Sequence, residues 1–328
     1  MREEAHGRAL PCRIAATYGL HPTVEEGEAL PEGYVNESWR VPCEEGAFLV
    51  RIYGRLHVTR GALLFEHAIV AHAAERLAEV RAPLSGPNGS TLWEIDDAFV
   101  AVFPFIEGRT GGRDPAARAG AARLLARFHR AMHDVHIAGG MRTTRSLGAL
   151  GKLRERFVGL AHDPVLAHKL DWDVAMAAAT AAAARLAPIA RELPHTIVHG
   201  DVHPANFVRS RSGDATVGLI DFDFAHESER AYDVAIGIDE FARARNAAPL
   251  ELDAAAAFAD AYASELKLAA AERKALPDLM IRHSATLISY IVSRHGELAP
   301  GDVGGAPIYL ERIREIERVR EELLARVA

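Results

Sequence analysis

Two short segments of this chain concentrate side chains that could do chemistry: His199-Gly-Asp-Val-His-Pro-Ala-Asn206 and Leu219-Ile-Asp-Phe-Asp223. Asn206 and Asp221 offer oxygen alone. That is the donor preferred by a hard cation such as Mg²⁺, which keeps several waters and takes few protein ligands. Asp201 stands five residues before Asn206 and is placed to accept a proton. An ion-binding pair beside a proton acceptor suits phosphoryl transfer, which needs positioning and charge neutralisation more than covalent help. An Asp between Ile220 and Phe222 is costly to place there unless it is paired or binds a metal. A rival grouping is His199, Asp201 and His203, a metallohydrolase cluster that would take Zn²⁺ or Mn²⁺ through imidazole nitrogens. It leaves Asn206 and Asp221 without a role.

Positioning these groups requires a hairpin. Phe207-Val-Arg209 and Ala215-Thr-Val-Gly-Leu-Ile220 read as its arms, with Ser212-Gly-Asp214 as the turn. Symmetric pairing about that turn sets Asn206 opposite Asp221, and a slip of one residue would turn the faces over. Earlier in the chain, residues 47–53 and 33–41 read as strands, and 61–79 as a helix carrying Leu63, Leu64, Ile69, Val70 and Leu77. Residues 91–95 and 99–103 read as a second hairpin through Asp96-Asp97. Beyond Pro104 and Gly108-Arg-Thr-Gly-Gly112 the pattern turns helical: Leu124, Leu125, Phe128, Met132 and Val135, then 173–187, 252–271, and a stripe from Ile313 to Val327.

Composition bounds the reading. The 328 residues allow about two domains, and 49% hydrophobic with 25% charged residues excludes wholesale disorder. A net charge of −7 argues against a broad nucleic-acid surface. Two cysteines, Cys12 and Cys43, make no disulfide framework. The first residues lack the apolar run of a signal peptide, and the apolar tract Val174–Ala184 meets Arg185 well short of a membrane span. The expectation is a soluble cytoplasmic protein without membrane or nucleic-acid partners. Of 38 basic residues, the lysines are Lys152, Lys169, Lys267 and Lys274, so the first 151 residues contain none. Any N-terminal role for a long cation falls to arginine.

Asp201 and Asn206 share the Asp-x-x-x-x-Asn spacing of the kinase catalytic loop. The two segments together resemble the signature of the aminoglycoside phosphotransferase/choline kinase family. Gly218-Leu-Ile-Asp-Phe-Asp-Phe-Ala225, Ala231-Tyr-Asp-Val-Ala-Ile236 and the stretch Ile281–Arg294 are most similar to its homoserine kinase-like branch. The resemblance implies an α+β, two-lobed protein-kinase-like fold with a small antiparallel-sheet N-terminal lobe and a larger, mainly helical C-terminal lobe. It divides the chain into a nucleotide-binding lobe at 1–103, a hinge at 104–112, and a catalytic and substrate-binding lobe at 113–328.

The resemblance also implies ATP and Mg²⁺ as cofactors and a hydroxyl group of a small molecule as acceptor. Asp201 becomes the catalytic base. Asn206 and Asp221 hold the metal, with Asp223 assisting, while His199 and Asp233 brace the loop. Arg51 stands where the family's phosphate-binding lysine belongs, and Glu66 is its ion-pair partner. Arginine grips phosphate as a fork where lysine acts as a point charge. The loop from Gly33 to Ser38, with Asn36 and Ser38, covers the phosphates, although it lacks Gly-x-Gly-x-x-Gly. Phe105, in Phe103-Pro-Phe-Ile-Glu-Gly108, lies where the hinge presents its backbone to adenine. The same fold also serves a catalytically idle nucleotide binder, which retention of Asp201, Asn206 and Asp221 together disfavours. Homoserine, another amino alcohol, a sugar or an aminoglycoside all fit the block as acceptor. Asp239, Glu240 and Arg282 are candidates for selecting among them.

Overall fold

The computed structural model describes residues 7–30, 36–54, 59–95, 98–137, 171–293 and 305–327. The Asp96-Asp97 turn and Gly33–Val35 lie outside them, as do Lys152 and Lys169. The described chain forms two compact units. The first takes the residues up to Gly108 together with Val217–Asp223; most of the rest falls in the second.

The first unit is built on a five-stranded antiparallel sheet in the order β1-β2-β3-β5-β4. Its strands are β1 (Glu28–Ala29), β2 (Glu37–Cys43), β3 (Gly46–Tyr53), β4 (Trp93–Ile95) and β5 (Ala98–Pro104). Alternation along β3 sets the two faces. Phe48, Val50 and Ile52 join Trp39, Val41, Val100 and Val102 against Cys12, Ile14 and Ala15 of α1 (Leu10–Thr17). Tyr53 turns the other way, toward Leu63, Leu92, Ala101 and Phe103, with Leu49 packed alongside. Arg51 shares this second parity and lies between Leu49 and Tyr53, opposite Ser38 on β2 and Ala101 on β5. Leu63 belongs to α2 (Arg60–Ala74), whose first turn is capped by Thr59: its Oγ1 accepts the Ala62 N–H at 3.2 Å. The helix ends at Ala74, short of the expected 79.

The second unit is mainly helical. It contains α3 (Pro115–Ala131), α4 (Trp172–Leu186), α5 (Arg230–Phe241), α6 (Leu252–Ala263), α7 (Ala270–Ser293) and α8 (Ala306–Arg326). Asp114 caps α3 by accepting the N–H groups of Ala116 and Ala117, each at 3.1 Å, with Pro115 pre-set at the first helical position. Every residue from Ala231 to Phe241 is buried, the mark of a helix packed on all sides. Gly237 makes that packing possible, because a Cβ there would lie 2.3 Å from the Phe258 ring of α6. The helix expected over 252–271 is two helices, since α6 stops at Ala263 and α7 begins at Ala270.

Short strands carry the loops of interest. They are β6 (Arg109–Thr110), β7 (His195–Val198), β8 (Phe207–Arg209), β9 (Thr216–Leu219) and β10 (His226–Glu229). β7 pairs antiparallel with β10, and β6 with β8. The turn after β8 closes through the Ser210 N–H on the Ala215 carbonyl at 2.8 Å. Ser210 thus faces Ala215 and not Val217 as symmetric pairing predicts. The stretch Asp173–Glu192 is long and apolar enough to cross a membrane by composition. Its Arg185 nevertheless reaches Asp278 and Glu317, each at 2.7 Å, tying α4 to α7 and α8. The outcome is the expected α+β class, with an antiparallel sheet in one unit and helices dominating the other.

Candidate active site

In the first unit, a carboxylate pair surrounds one arginine. Arg51 Nη2 lies 3.0 Å from Asp221 Oδ1 and 3.2 Å from Asp223 Oδ1. The other oxygen of Asp223 accepts from Asn36 Nδ2 at 3.0 Å, and Asn36 Oδ1 accepts the Gly54 N–H at 3.4 Å. The guanidinium also sits 5.5 Å from the Tyr53 ring centroid, as their shared strand face requires. Burial opposes the charge on Arg51. The fields of Asp223 and Asp221, with smaller help from Tyr53 and Glu66, outweigh it and hold the group firmly protonated. Glu66 is itself buried on α2. Next to it His67 is pushed down to about 4, by burial first and by the Arg51 charge second. Its ring bridges the Tyr53 hydroxyl at 3.0 Å and Thr91 Oγ1 at 2.8 Å.

The two carboxylates differ in what they can still bind. Asp223 is buried, with a side chain 7% exposed, whereas the Asp221 side chain is 39% exposed. Asp221 also adopts φ +65°, a left-handed conformation that few non-glycine residues take and that Asp and Asn tolerate best. Asp221 thus presents an accessible hard oxygen on a specialised backbone, a donor that fits Mg²⁺. Asp223 is already spent on Arg51 and Asn36.

The family resemblance implies roles for Ser38 over the phosphates and for Phe105 at the hinge. Ser38 pairs directly with Arg51 across β2 and β3. The Phe105 N–H donates to Ala47 O at 2.9 Å, and Arg40 lies over its ring at 5.3 Å, so the backbone donor at this residue is already engaged.

In the second unit, the loop after β7 brings Asp201, His203 and Asn206 together. Asn206 Nδ2 donates to the Asp201 carbonyl at 2.8 Å and to Asp201 Oδ2 at 3.3 Å. With the amide nitrogen so engaged, its oxygen is the atom left to bind a cation, which also fits Mg²⁺. His203 Nε2 stands 3.4 Å from Asp201 Oδ2, and its Nδ1 accepts the Ala205 N–H at 3.3 Å. Pro204 starts the single 3₁₀ turn that ends at Asn206 and sets this spacing. The rival hydrolase cluster does not form: among the described residues, no three His, Cys, Asp or Glu side chains gather as a metal site.

Beneath the loop lies a fully buried carboxylate. Asp233, on the first turn of α5, accepts the His199 N–H at 2.6 Å, the Gly200 N–H at 2.8 Å and His129 Nε2 at 3.0 Å. His129 Nδ1 in turn meets the Tyr262 hydroxyl at 2.8 Å. Burial pushes the Asp233 carboxyl up, but the His129 hydrogen bond and the charges and donors around it bring it below the usual range. Gly200 has φ +78°, and a Cβ there would lie 2.4 Å from the Phe224 carbonyl, so only glycine lets the loop approach this closely. His199 and Asp233 were expected here. His129 carried no spacing signal, because its partners lie more than a hundred residues away along the chain.

The acceptor-selecting candidates prove to be internally committed. Asp239 receives Arg243 Nη2 at 2.8 Å and Arg312 Nη1 at 2.9 Å; Glu240 receives Arg312 Nη1 at 2.5 Å and Arg113 Nη2 at 3.3 Å. Arg282 forks onto Glu229 at 3.0 and 2.7 Å and stacks on Tyr232 at 4.6 Å. Spacing gave no hint of Tyr309 and Arg312 on α8. Arg312 lies 5.1 Å from the Tyr309 ring. The Tyr309 hydroxyl is pushed up to about 12, mainly by burial, with Glu240, Asp239 and Asp201 adding to it.

Residues 26–269 match the sequence profile of the phosphotransferase enzyme family (APH). A homoserine kinase from Methylocella silvestris is 30% identical over 257 residues, covering 77% of this chain and 75% of that protein. A homoserine kinase from Parvibaculum lavamentivorans is 29% identical over 275 residues, covering 82% and 80%. Among solved structures, a microcompartment-associated aminopropanol kinase superposes with a TM-score of 0.73 at 16% identity, over 97% of this chain and 99% of that one. An amicoumacin kinase in complex with AMP-PNP and Ca²⁺ gives 0.68 at 14% identity, over 97% and 96%. These likenesses establish the protein-kinase-like fold.

Proposed function

The chain belongs to the phosphotransferase enzyme family, and from that premise we propose that it transfers the γ-phosphoryl group of ATP to a hydroxyl of a small amino alcohol, homoserine first among them. The observation that carries this reading is the bonding of Asn206 to both the carbonyl and the carboxylate of Asp201. It fixes a proton acceptor beside an oxygen donor within the family-matched segment. The names of the sequence relatives support the acceptor class.

Asp201 orients the acceptor hydroxyl and takes its proton as the phosphoryl group moves. Asn206 and Asp221 would hold Mg²⁺, which when bound neutralises charge on the phosphate oxygens. Asp223 positions Arg51, whose guanidinium steadies the phosphates, with Glu66 behind it. Asn36 and Ser38 line the approach to the phosphates, and Phe105 flanks the adenine. His199 and Asp233 keep the catalytic loop in place. Residues 1–103 serve as the nucleotide lobe, 104–112 as the hinge and 113–328 as the catalytic lobe. The two buried thiols are free, in keeping with work in the cytoplasm.

ADP release with Mg·ATP, read against homoserine, other amino alcohols and sugars, tests this. Turnover is expected with an amino alcohol, and Asp201→Asn lowers kcat by about 10³-fold with little change in nucleotide affinity. Binding of Mg·ATP without turnover on any acceptor would favour the idle nucleotide binder. Hydrolysis with Zn²⁺ and no nucleotide would overturn the reading.

A further inference from the structure

Arg51 is engaged in a way that conflicts with the part assigned to it. One terminal nitrogen, Nη2, makes both ion pairs, at 3.0 Å to Asp221 and 3.2 Å to Asp223. Its Nε is buried without a hydrogen-bond partner, so the fork is only partly used. An unmatched buried donor is costly, and a partner with more acceptors recovers that cost. A phosphate has such acceptors. Asp223 cannot leave, held on its other oxygen by Asn36 at 3.0 Å. Asp221 is the exposed and releasable end of the cluster. An ion arriving at Asp221 meets a positive charge already seated there, and two cations on one carboxylate repel unless one finds another anion.

We propose that Arg51 is the placeholder cation of the Asp221–Asp223 pair, releasing Asp221 to a divalent ion when a nucleotide phosphate takes up its guanidinium. The inference rests on the reading of Asp221 as a metal ligand. Its consequence is a positive coupling between ion and nucleotide that resides in this chain as well as in direct ion–phosphate contact. Arg51 is then a positioning residue for the ion, and it suppresses ion binding to the nucleotide-free protein.

The test is Mn²⁺ titration of the full chain, with free Mn²⁺ followed by electron paramagnetic resonance, with and without AMP-PNP. Arg51→Met is expected to tighten nucleotide-free Mn²⁺ binding about tenfold and to shrink the benefit of AMP-PNP. Arg51→Lys keeps a cation in place and stays near the wild type. Adding Asp221→Asn to Arg51→Met abolishes the gain. Unchanged Mn²⁺ affinity in Arg51→Met, or a gain that survives loss of Asp221, overturns the inference. Should Arg51→Met not fold alone, Mn²⁺ must restore its cooperative unfolding where NaCl of equal ionic strength does not; absence of rescue counts against the proposal equally. Wild-type protein that binds no Mn²⁺ even with AMP-PNP instead removes the metal reading on which the inference stands.

Discussion

Asp233 and Asp221 are both carboxylates in the family-matched segment, yet their surroundings have little in common. Asp233 is buried and receives three fixed donors, two of them backbone N–H groups of the loop that carries Asp201. Asp221 is half-exposed, has a long, chargeable side chain as its partner, and sits on a left-handed backbone. A carboxylate whose lone pairs are taken by rigid donors cannot accept a ligand without dismantling the fold. One whose partner is a movable guanidinium can. The difference separates a carboxylate that holds its loop in place from one whose oxygen stays accessible, although both are Asp.

The largest effect is expected where the donors are rigid. Asp233→Ala leaves two buried backbone donors and His129 without their acceptor. It should cost about 3–5 kcal/mol, the scale of an uncompensated buried polar group. Urea denaturation followed by circular dichroism reads it as a lower midpoint with an unchanged slope. A cost below about 1 kcal/mol would erase the distinction between the two carboxylates.

Much of this division was legible in the sequence. The Asp201–Asn206 spacing, the hairpin after it and the strand that carries Arg51 all depend on neighbours within a few residues. Period-2 and turn chemistry report such local facts. What the sequence did not show is long-range: Asn36 on Asp223, His129 on Asp233, and the arginines that occupy Asp239 and Glu240. Each joins segments whose separation leaves no periodic trace. The break at Ser264–Ala269 was missed for another reason, since an alanine-rich composition favours helix on both sides of it. The clustering of Val217–Asp223 with the first unit belongs with the long-range group, because no linear division of the chain supplies it.

An intermediate effect is expected from histidine, which each region buries in its own way. His129 faces the Asp233 carboxylate, whereas His67 bridges two hydroxyls in the field of Arg51. His67 is pushed down to about 4 from an ordinary 6.5. Between those values the unfolded chain binds the proton and the folded one does not. Stability is therefore full above the unfolded value and falls as pH drops from 6.5 toward 4, by about 3 kcal/mol at most. Thermal or urea unfolding across this range should show that limb, and His67→Gln should flatten it. A profile equally steep in the variant would assign the limb to groups other than the buried His67.

The smallest effect on stability is expected at the working carboxylate, and it is the sharpest contrast with Asp233. Asp221→Asn keeps the shape and, unlike alanine, tolerates the left-handed backbone at φ +65°. Arg51 retains Asp223 at 3.2 Å, so its charge stays compensated. The lost pair is 39% exposed on the Asp221 side, and solvent screening holds its worth to about 1 kcal/mol or less. Removing one of two neighbouring carboxylates also relieves their mutual repulsion, which opposes even that loss. The unfolding midpoint should therefore barely move, while under the proposed metal role phosphoryl transfer falls by orders of magnitude, because the anionic carboxylate becomes a neutral amide. If Asp221→Asn instead destabilises the fold as much as Asp233→Ala, then Asp221 is a structural brace like its counterpart, and the exposed oxygen is not where this protein does its chemistry.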